Sequence, residues 1–161
     1  MTARVSTLVL VALAAGCSLG TGSRAHATTA TIAGGHRPCP ATDRSTVAQL
    51  VNDRRRRAGL GMLGNDTHLA RFAQSRSAAM AAENLLSHRG WERGLRTAGL
   101  VDDALGENVA YNYATANAVM QGWMRSPGHR ANILHRTFKR IGVGCVIDQH
   151  GHRWWTQDFA G

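Results

Sequence analysis

Residues 141–159 read IGVGCVIDQHGHRWWTQDF and carry the clearest strand signal in the chain. Apolar residues, several of them β-branched, alternate through part of 141–147, as they do in a strand with one face buried. The run at 148–152 is polar and contains a glycine, which is typical of a turn. Apolar residues then return over 153–159. The stretch therefore predicts two antiparallel strands that form a terminal hairpin.

Upstream of this hairpin, apolar residues recur at helical spacing. Val47, Leu50 and Val51 lie three and four residues apart, and Gly59 follows them as a helix breaker. Four helices are predicted, beginning near Thr42, Thr67, Thr115 and Pro127, the first two ending near Arg57 and Asn84. Residues 108–113 are short and apolar enough for a strand or an irregular core segment. Helices followed by a hairpin predict an α+β layered domain.

The N-terminus has the composition of an export signal. Arg4 precedes an apolar run, and Ala25-His26-Ala27 has the small-x-small form of a cleavage site. We assign residues 1–27 to a signal peptide, 28–41 to a linker or tail and 42–161 to one domain. A second route remains open, because Ala14-Ala15-Gly16-Cys17 resembles an imperfect lipoprotein box. The chain is therefore expected to be secreted or, alternatively, lipid-anchored at the cell surface through Cys17.

Two cysteines lie in the predicted linker and domain, after the signal peptide. Cys39 and Cys145 are an even pair in an exported chain, which predicts one disulfide. The alternative is two buried free thiols.

The chain is basic, with 19 Lys and Arg against 10 Asp and Glu. Removal of Arg4 and Arg24 with the signal leaves 19 − 2 = 17 basic residues against 10 acidic ones, a net charge of +7. Such a charge attracts anionic surfaces in general, and export favours the cell envelope over nucleic acid as the partner. The block Arg54–Arg57 ends a helical pattern and is interpreted as a solvated helix face that complements the helix dipole.

Two segments combine polar residues with core-like neighbours. Residues 106–110 read GENVA, and residues 123–134 read WMRSPGHRANIL. With His88, they supply two imidazoles and one carboxylate, which are suited to metal binding or to acid–base chemistry. A plainer interpretation is that Glu107 and His129 are buried structural groups that bond to backbone and to each other.

These motifs resemble those of the CAP superfamily, the group of cysteine-rich secretory, antigen 5 and pathogenesis-related 1 proteins. The matching motifs are NDR at 52–54 with GL at 59–60, LA at 69–70 with SH at 87–88, GENVA at 106–110, WM at 123–124 with SPGHRANIL at 126–134, IGVG at 141–144 and WWTQDF at 154–159. The resemblance implies an α-β-α sandwich. It also implies a central cleft in which two histidines and two glutamates can hold a divalent metal.

His88 and Glu107 match the first histidine and first glutamate of that set. Ser126 and Trp154 stand where the second glutamate and second histidine are usual, so His129 is the candidate for the missing imidazole. The resemblance thus implies a zinc or other divalent-metal site at His88, Glu107 and His129. The full predicted cleft comprises His88, Glu107, Asn108, Ser126, His129, Asn132 and Trp154.

Three functions fit these residues. The first is a binding module whose cleft holds a lipid, a glycan or a peptide of the envelope. The second is a metal-assisted hydrolase, such as a peptidase, that uses Glu107 with His88 and His129. The third is a monomeric extracellular interaction domain without a small-molecule site. We favour the binding module over an enzyme, because the reacting groups match incompletely and no nucleophile is evident.

Overall fold

The computed structural model describes residues 35–161. The predicted signal peptide, the Cys17 box and residues 28–34 of the predicted linker lie outside this range. Among residues 35–161, no helix is both long and apolar enough to cross a bilayer.

Helices and strands follow one another in the order β1 (Arg37–Pro38), α1 (Ala41–Arg57), β2 (Gly64–Asn65), α2 (Thr67–Glu83), α3 (Trp91–Thr97), β3 (Leu105–Tyr111), α4 (Ala116–Arg125), α5 (Pro127–Ile133), β4 (Arg140–Ile147) and β5 (Arg153–Ala160). The predicted hairpin is β4 and β5, paired from Arg140 opposite Ala160 to Ile147 opposite Arg153. The four predicted helices are α1, α2, α4 and α5, and the α+β prediction is confirmed.

The sheet has the strand order β1-β4-β5-β3, and β2 pairs with β4 in parallel on the same outer edge as β1. Helix α2 covers one face, where Met80 and Ala81 pack with Trp154. Helices α1, α4 and α5 cover the other face, where Trp155 and Phe159 enter the main core. The domain is therefore an α-β-α sandwich, as the family resemblance implied.

Two sequence expectations are corrected by this layering. A strand with one face buried, as the sequence pattern suggested, would point either Trp154 or Trp155 outward, but both are buried because helices cover both faces of the sheet. The predicted linker, 28–41, includes residues that belong to the domain, since β1 pairs with β4 at Arg37 and Pro38 and α1 begins at Ala41.

The predicted disulfide is present between Cys39 and Cys145, with a Cα–Cα distance of 5.3 Å. The Cys39 N–H also donates to the Cys145 carbonyl at 2.9 Å. The disulfide therefore ties the segment that leads into α1 to the middle of β4.

The arginine block at the end of α1 is not wholly solvated. Arg55 is 2% exposed, and its guanidinium donates to main-chain carbonyls in two later segments. The interpretation of Arg54–Arg57 as a solvated face is therefore wrong for Arg55 and holds for the exposed Arg56 and Arg57. Helical position explains this, because Arg55 follows Val51 by four residues and so shares its inward face.

Close packing of α2 on β4 depends on two glycines. A Cβ at Gly142 would lie 2.1 Å from the Leu69 carbonyl carbon, and one at Gly144 would lie 2.2 Å from the carbonyl carbon of Ala73. Both contacts are with helix backbone, which cannot move without shifting the whole of α2. These glycines therefore set the distance between the helix and the sheet.

We expect Gly144→Ala to lower the free energy of unfolding by about 1–3 kcal/mol, the usual cost of overpacking. Gly128→Ala is the matched control, because nothing lies within 4 Å of a Cβ at Gly128 in α5. Urea denaturation of both variants measures the difference, and Gly128→Ala should be neutral or slightly stabilising. Equal stability of the two variants would contradict the packing argument.

Candidate functional site

Glu107 is the centre of the candidate site. It lies on β3, the edge strand beside β5, and its side chain is completely buried. Its Oε2 accepts a hydrogen bond from Arg76 Nε at 2.9 Å, and its Oε1 lies 2.9 Å from His88 Nδ1. Both oxygens of a buried carboxylate are thus partnered, and one partner is a permanent cation.

Helix α2 and the loop after it deliver these two partners. Asn84 ends α2 in the left-handed conformation, with φ of 49°, and the chain turns back towards the sheet. Arg76 also donates from Nη2 to the Ser87 carbonyl, directly before His88. Arg76 therefore connects the loop to Glu107 and holds His88 at the sheet edge.

The Glu107 carboxylate determines which form of His88 the site presents. A carboxylate accepts from a protonated nitrogen, so Nδ1 carries the hydrogen and the neutral ring keeps its lone pair on Nε2. The His88 side chain is 49% exposed. The site therefore offers an oriented imidazole that can accept a hydrogen bond or a proton from a ligand.

A second polar network lies on the opposite face of β3, because successive strand residues point to opposite faces. Asn108 Nδ2 donates to Gln157 Oε1 at 3.0 Å and to the His129 carbonyl at 3.1 Å. Asn132 Nδ2 donates to Asn108 Oδ1 at 2.9 Å and to the Glu107 carbonyl at 3.1 Å. These bonds fix α5 against β3 and thereby position His129.

His129 is affected by its burial and by His88. Burial lowers the pKa of His129, and the charge of His88 lowers it further. The neutral form of His129 is therefore favoured near neutral pH.

Asp158 is a member of this cluster that the sequence analysis missed. It lies opposite Glu107 in the β3–β5 register, is fully buried, and neither carboxyl oxygen is hydrogen-bonded by any of residues 35–161. Burial and the Glu107 charge raise the pKa of Asp158 well above its usual range, while Arg76 opposes the shift. The protonated, neutral form is therefore favoured, because two adjacent buried carboxylates repel.

The predicted metal site is not assembled. Within residues 35–161, no group of three or more His, Cys, Asp or Glu side chains is placed to hold a metal ion. The physical reason is that Arg76 and His88 take both oxygens of Glu107, and the guanidinium supplies the positive charge that a metal would bring. The donor set His88, Glu107 and His129 therefore does not fit zinc or another divalent cation in this arrangement.

Two other residues of the predicted cleft, Trp154 and Ser126, do not have the roles expected of them. Trp154 is buried, packs against the tilted ring of Tyr111 and donates from Nε1 to Asp148, so it does not line the site. Ser126 occupies the N-cap position of α5 but makes no side-chain capping hydrogen bond, contrary to the cap that its position predicts. Next to the Glu107 site lies a cavity of about 380 Å³, lined by Arg76, Ala79, Met80, Glu83, Leu85, Ser87 and Arg89.

Replacing His88 with Gln should raise the pKa of His129 towards its ordinary value, because one of the two causes of its depression disappears. The remaining burial keeps the recovery partial. The pH titration of the His129 ring protons by NMR measures the change. His152→Gln is the control, since that ring contacts Asp148 and Tyr111 at the hairpin turn. An unchanged titration in His88→Gln would mean that the two rings are not neighbours.

The architecture and the site define a three-layer α-β-α domain with a histidine, an arginine and a glutamate joined at the edge of its sheet. The chain belongs to the cysteine-rich secretory protein (CAP) family, whose model matches residues 48–159.

Two Bacillus subtilis proteins are similar in sequence. YkwD is 35% identical over 120 residues, covering 71% of this chain and 46% of YkwD. The membrane protein YlbC is 33% identical over 123 residues, covering 73% of this chain and 34% of YlbC. The chain therefore spans less than half the length of these relatives.

Solved structures show the same fold. An extracellular SCP-domain protein from Bacillus anthracis superimposes with a TM-score of 0.67 at 29% identity, covering 74% of this chain and 40% of its own. An outer surface protein of Borrelia burgdorferi has a TM-score of 0.68 at 16% identity, covering 76% of this chain and 96% of its own.

Proposed function

We propose that this chain is an exported CAP-domain protein of the cell envelope or extracellular space, and that it binds a glycan or a peptide beside His88. The observation that carries the proposal is the buried Glu107, which holds Arg76 and the half-exposed His88 in fixed orientations. A preorganised set of donors and acceptors reduces the entropy cost of binding a polar ligand.

The adjoining cavity supports this choice of ligand. Arg76, Ser87 and Arg89 supply polar groups along its wall, and Leu85, which is 54% exposed, supplies an apolar surface. Glycans and peptides present both characters, hydroxyl or carboxylate groups beside an apolar ring face or side chain. A pure hydrocarbon chain would offer no partner to the polar groups of Ser87 and Arg89, so a lipid tail fits this cavity less well.

We expect Glu107→Gln to weaken ligand binding at least tenfold. The amide keeps the size of the side chain but removes the charge that orients Arg76 and His88. Titration calorimetry with soluble peptidoglycan fragments and chitin oligosaccharides provides the measurement. Glu92→Gln is the matched control, because Glu92 is an exposed carboxylate paired with Arg96.

His88→Gln makes the test independent of folding, since His88 is exposed and its loss leaves the Arg76–Glu107 pair intact. Binding should fall in this variant too, while its thermal unfolding stays near that of the parent protein. Undiminished binding of the fragments by both Glu107→Gln and His88→Gln would refute the proposal. Binding of lipid vesicles in place of the fragments would refute the ligand class.

A hydrolase is the second candidate, and one observation favours it. A half-exposed histidine whose Nδ1 bonds a buried carboxylate has the arrangement of a general base. The buried Glu107 would not touch a substrate in this arrangement and would orient His88. Cleavage of the same fragments that is lost in His88→Gln would support hydrolysis over binding alone.

A further inference from the structure

A second groove lies on the other edge of the sheet, along β4 between β1 and β2. We propose that this groove binds the carboxyl-terminal end of a short extended peptide. The proposal does not depend on the function assigned to the Glu107 site, because the two places are separated by the width of the sheet.

The edge of β4 has one unfilled position in its hydrogen-bond ladder. The Asp148 N–H donates to the His152 carbonyl. In an antiparallel pair the backbone N–H and C=O groups of alternate residues point to the same neighbour, so those of even-numbered β4 residues point to β5 and those of odd-numbered residues point to the outer edge. The Asp66 N–H donates to the outward Ile141 carbonyl. The Gln74 side-chain amide donates to the Cys145 carbonyl and accepts from the Cys145 N–H. Between them, the pairings of β1 and β2 stop short of Val143, and within residues 35–161 no loop hydrogen bond reaches its outward N–H or carbonyl.

Two adjoining cavities, of about 170 and 320 Å³, open onto this position. Arg44, Thr67, Ala70 and Val143 line both of them. The first two turns of α1 form one wall and those of α2 form the other. An extended segment laid here would pair with Val143 and place one side chain against Ala70, which is how sheet edges take up peptides.

The charge around the groove favours a carboxylate. Arg44 and the exposed Arg71 stand at its rim. The carboxylate of Asp66 is already bonded to main-chain N–H groups of α2 and to Arg140, so it does not neutralise them. An acidic group is therefore attracted to the end of the groove near Arg44 and Arg71.

The flanking strands limit how the peptide can enter. β1 occupies β4 at Val146 and Ile147, and β2 occupies it at Arg140 and Ile141. Cys39 and Gln74 also bond Cys145, so the free stretch of β4 covers the three residues 142–144, or about 10 Å at the usual rise of a strand. A continuous strand would collide with β1 or β2, whereas a chain that ends within the groove fits. The terminal carboxylate would then lie near Arg44 and Arg71.

The test uses NMR of the mature protein with N-acetyl-Ala-Val-Val, the same tripeptide amidated at its carboxyl end, and sodium acetate. The free-acid peptide should shift the Val143 amide resonance and slow its hydrogen exchange. The amidated peptide should bind roughly threefold more weakly, the scale of an exposed charge interaction. The proposal would be overturned if the peptide left the chemical shift and hydrogen exchange of the Val143 amide unchanged. It would also be overturned if acetate changed them as much as the peptide does.

Two variants test the groove directly. Ala70→Phe fills it and should reduce peptide affinity at least tenfold, whereas Ser75→Phe, on the exposed side of α2, should bind normally. Arg71→Gln alters only an exposed side chain and should weaken binding roughly threefold. It remains informative even when Ala70→Phe fails to fold. Full affinity in Arg71→Gln or in a folded Ala70→Phe variant would contradict the assignment.

Discussion

Replacing Arg55 with Met should lower the free energy of unfolding by about 3–5 kcal/mol. The guanidinium is almost fully buried and donates to carbonyls in the loop after α1 and in the segment from α5 to β4. Its acceptors are the carbonyls of Gly61 (2.7 Å), Ile133 (3.0 Å), His135 (2.8 Å) and Phe138 (3.4 Å). Methionine fills a similar volume but leaves these buried acceptors without donors.

Among residues 35–161 no carboxylate forms a salt bridge with Arg55, so in this part of the chain main-chain carbonyls compensate the buried charge. Burial lowers the pKa of Arg55, which shows that the environment disfavours the charged form. The hydrogen bonds must outweigh that cost, and they join segments 78 to 83 residues apart in sequence. Arg55 therefore fixes residues 133–138 against α1 by hydrogen bonds to their main-chain carbonyls.

Urea denaturation of Arg55→Met and Arg57→Met gives the comparison. Arg57 lies two residues later in α1 and is exposed, so its replacement should change stability by less than about 0.5 kcal/mol. Arg55→Lys should also be destabilising, because an ammonium cannot reach carbonyls spread around a planar guanidinium. A loss below about 1 kcal/mol in Arg55→Met would mean that the carbonyls find other donors.

The elements that the sequence predicted are those with a repeating apolar pattern. The hairpin and the helices α1, α2 and α4 each bury several residues, so local pattern and tertiary burial agree. The short α5 buries only Ile133 and was predicted from the proline at its start. β1 and β2 contain two residues each, and two residues carry no period. They form because the outer edge of β4 offers backbone groups to pair with, which is a tertiary cause.

Part of the candidate site was also predicted from the sequence, and part was missed. His88 and Glu107 were predicted together from a family resemblance, and the structure joins them by a hydrogen bond. Arg76 was missed, although a signal was present: it lies four residues before Met80 and four after Phe72, within an otherwise apolar stripe. A charged residue in such a stripe needs a buried partner, and that requirement could have pointed to Glu107.

Within residues 35–161 the predicted ligands do not form a metal-binding group, because sequence reveals ligand types but not the groups that compete for them. A carboxylate and two imidazoles satisfy the usual donor rules for zinc. The rules do not say whether a guanidinium from another helix reaches the same carboxylate first. Asp158 illustrates the same limit, since only the strand register places it beside Glu107.

Removing the disulfide should produce the second large effect. The double variant Cys39→Ala with Cys145→Ala should lose about 2–5 kcal/mol of unfolding free energy. The two cysteines are 106 residues apart. In the chain-entropy model, closing a loop of that length lowers the entropy of the unfolded chain and so stabilises the fold by about 4.7 kcal/mol. Measured stabilisations are often smaller than the model gives. Both cysteines are buried, so the small cavities left by alanine add to the loss.

Reduction separates the covalent contribution from the cavities. Unfolding of the parent protein with and without dithiothreitol measures the bond alone, and the double variant should be insensitive to the reductant. The His88 and His129 resonances should stay unchanged in the reduced, folded protein, because the disulfide anchors the β1 edge and the Glu107 site lies at the β3 edge. Equal stability of the oxidised and reduced parent would show that β1 and α1 are held by packing on β4 rather than by the covalent link.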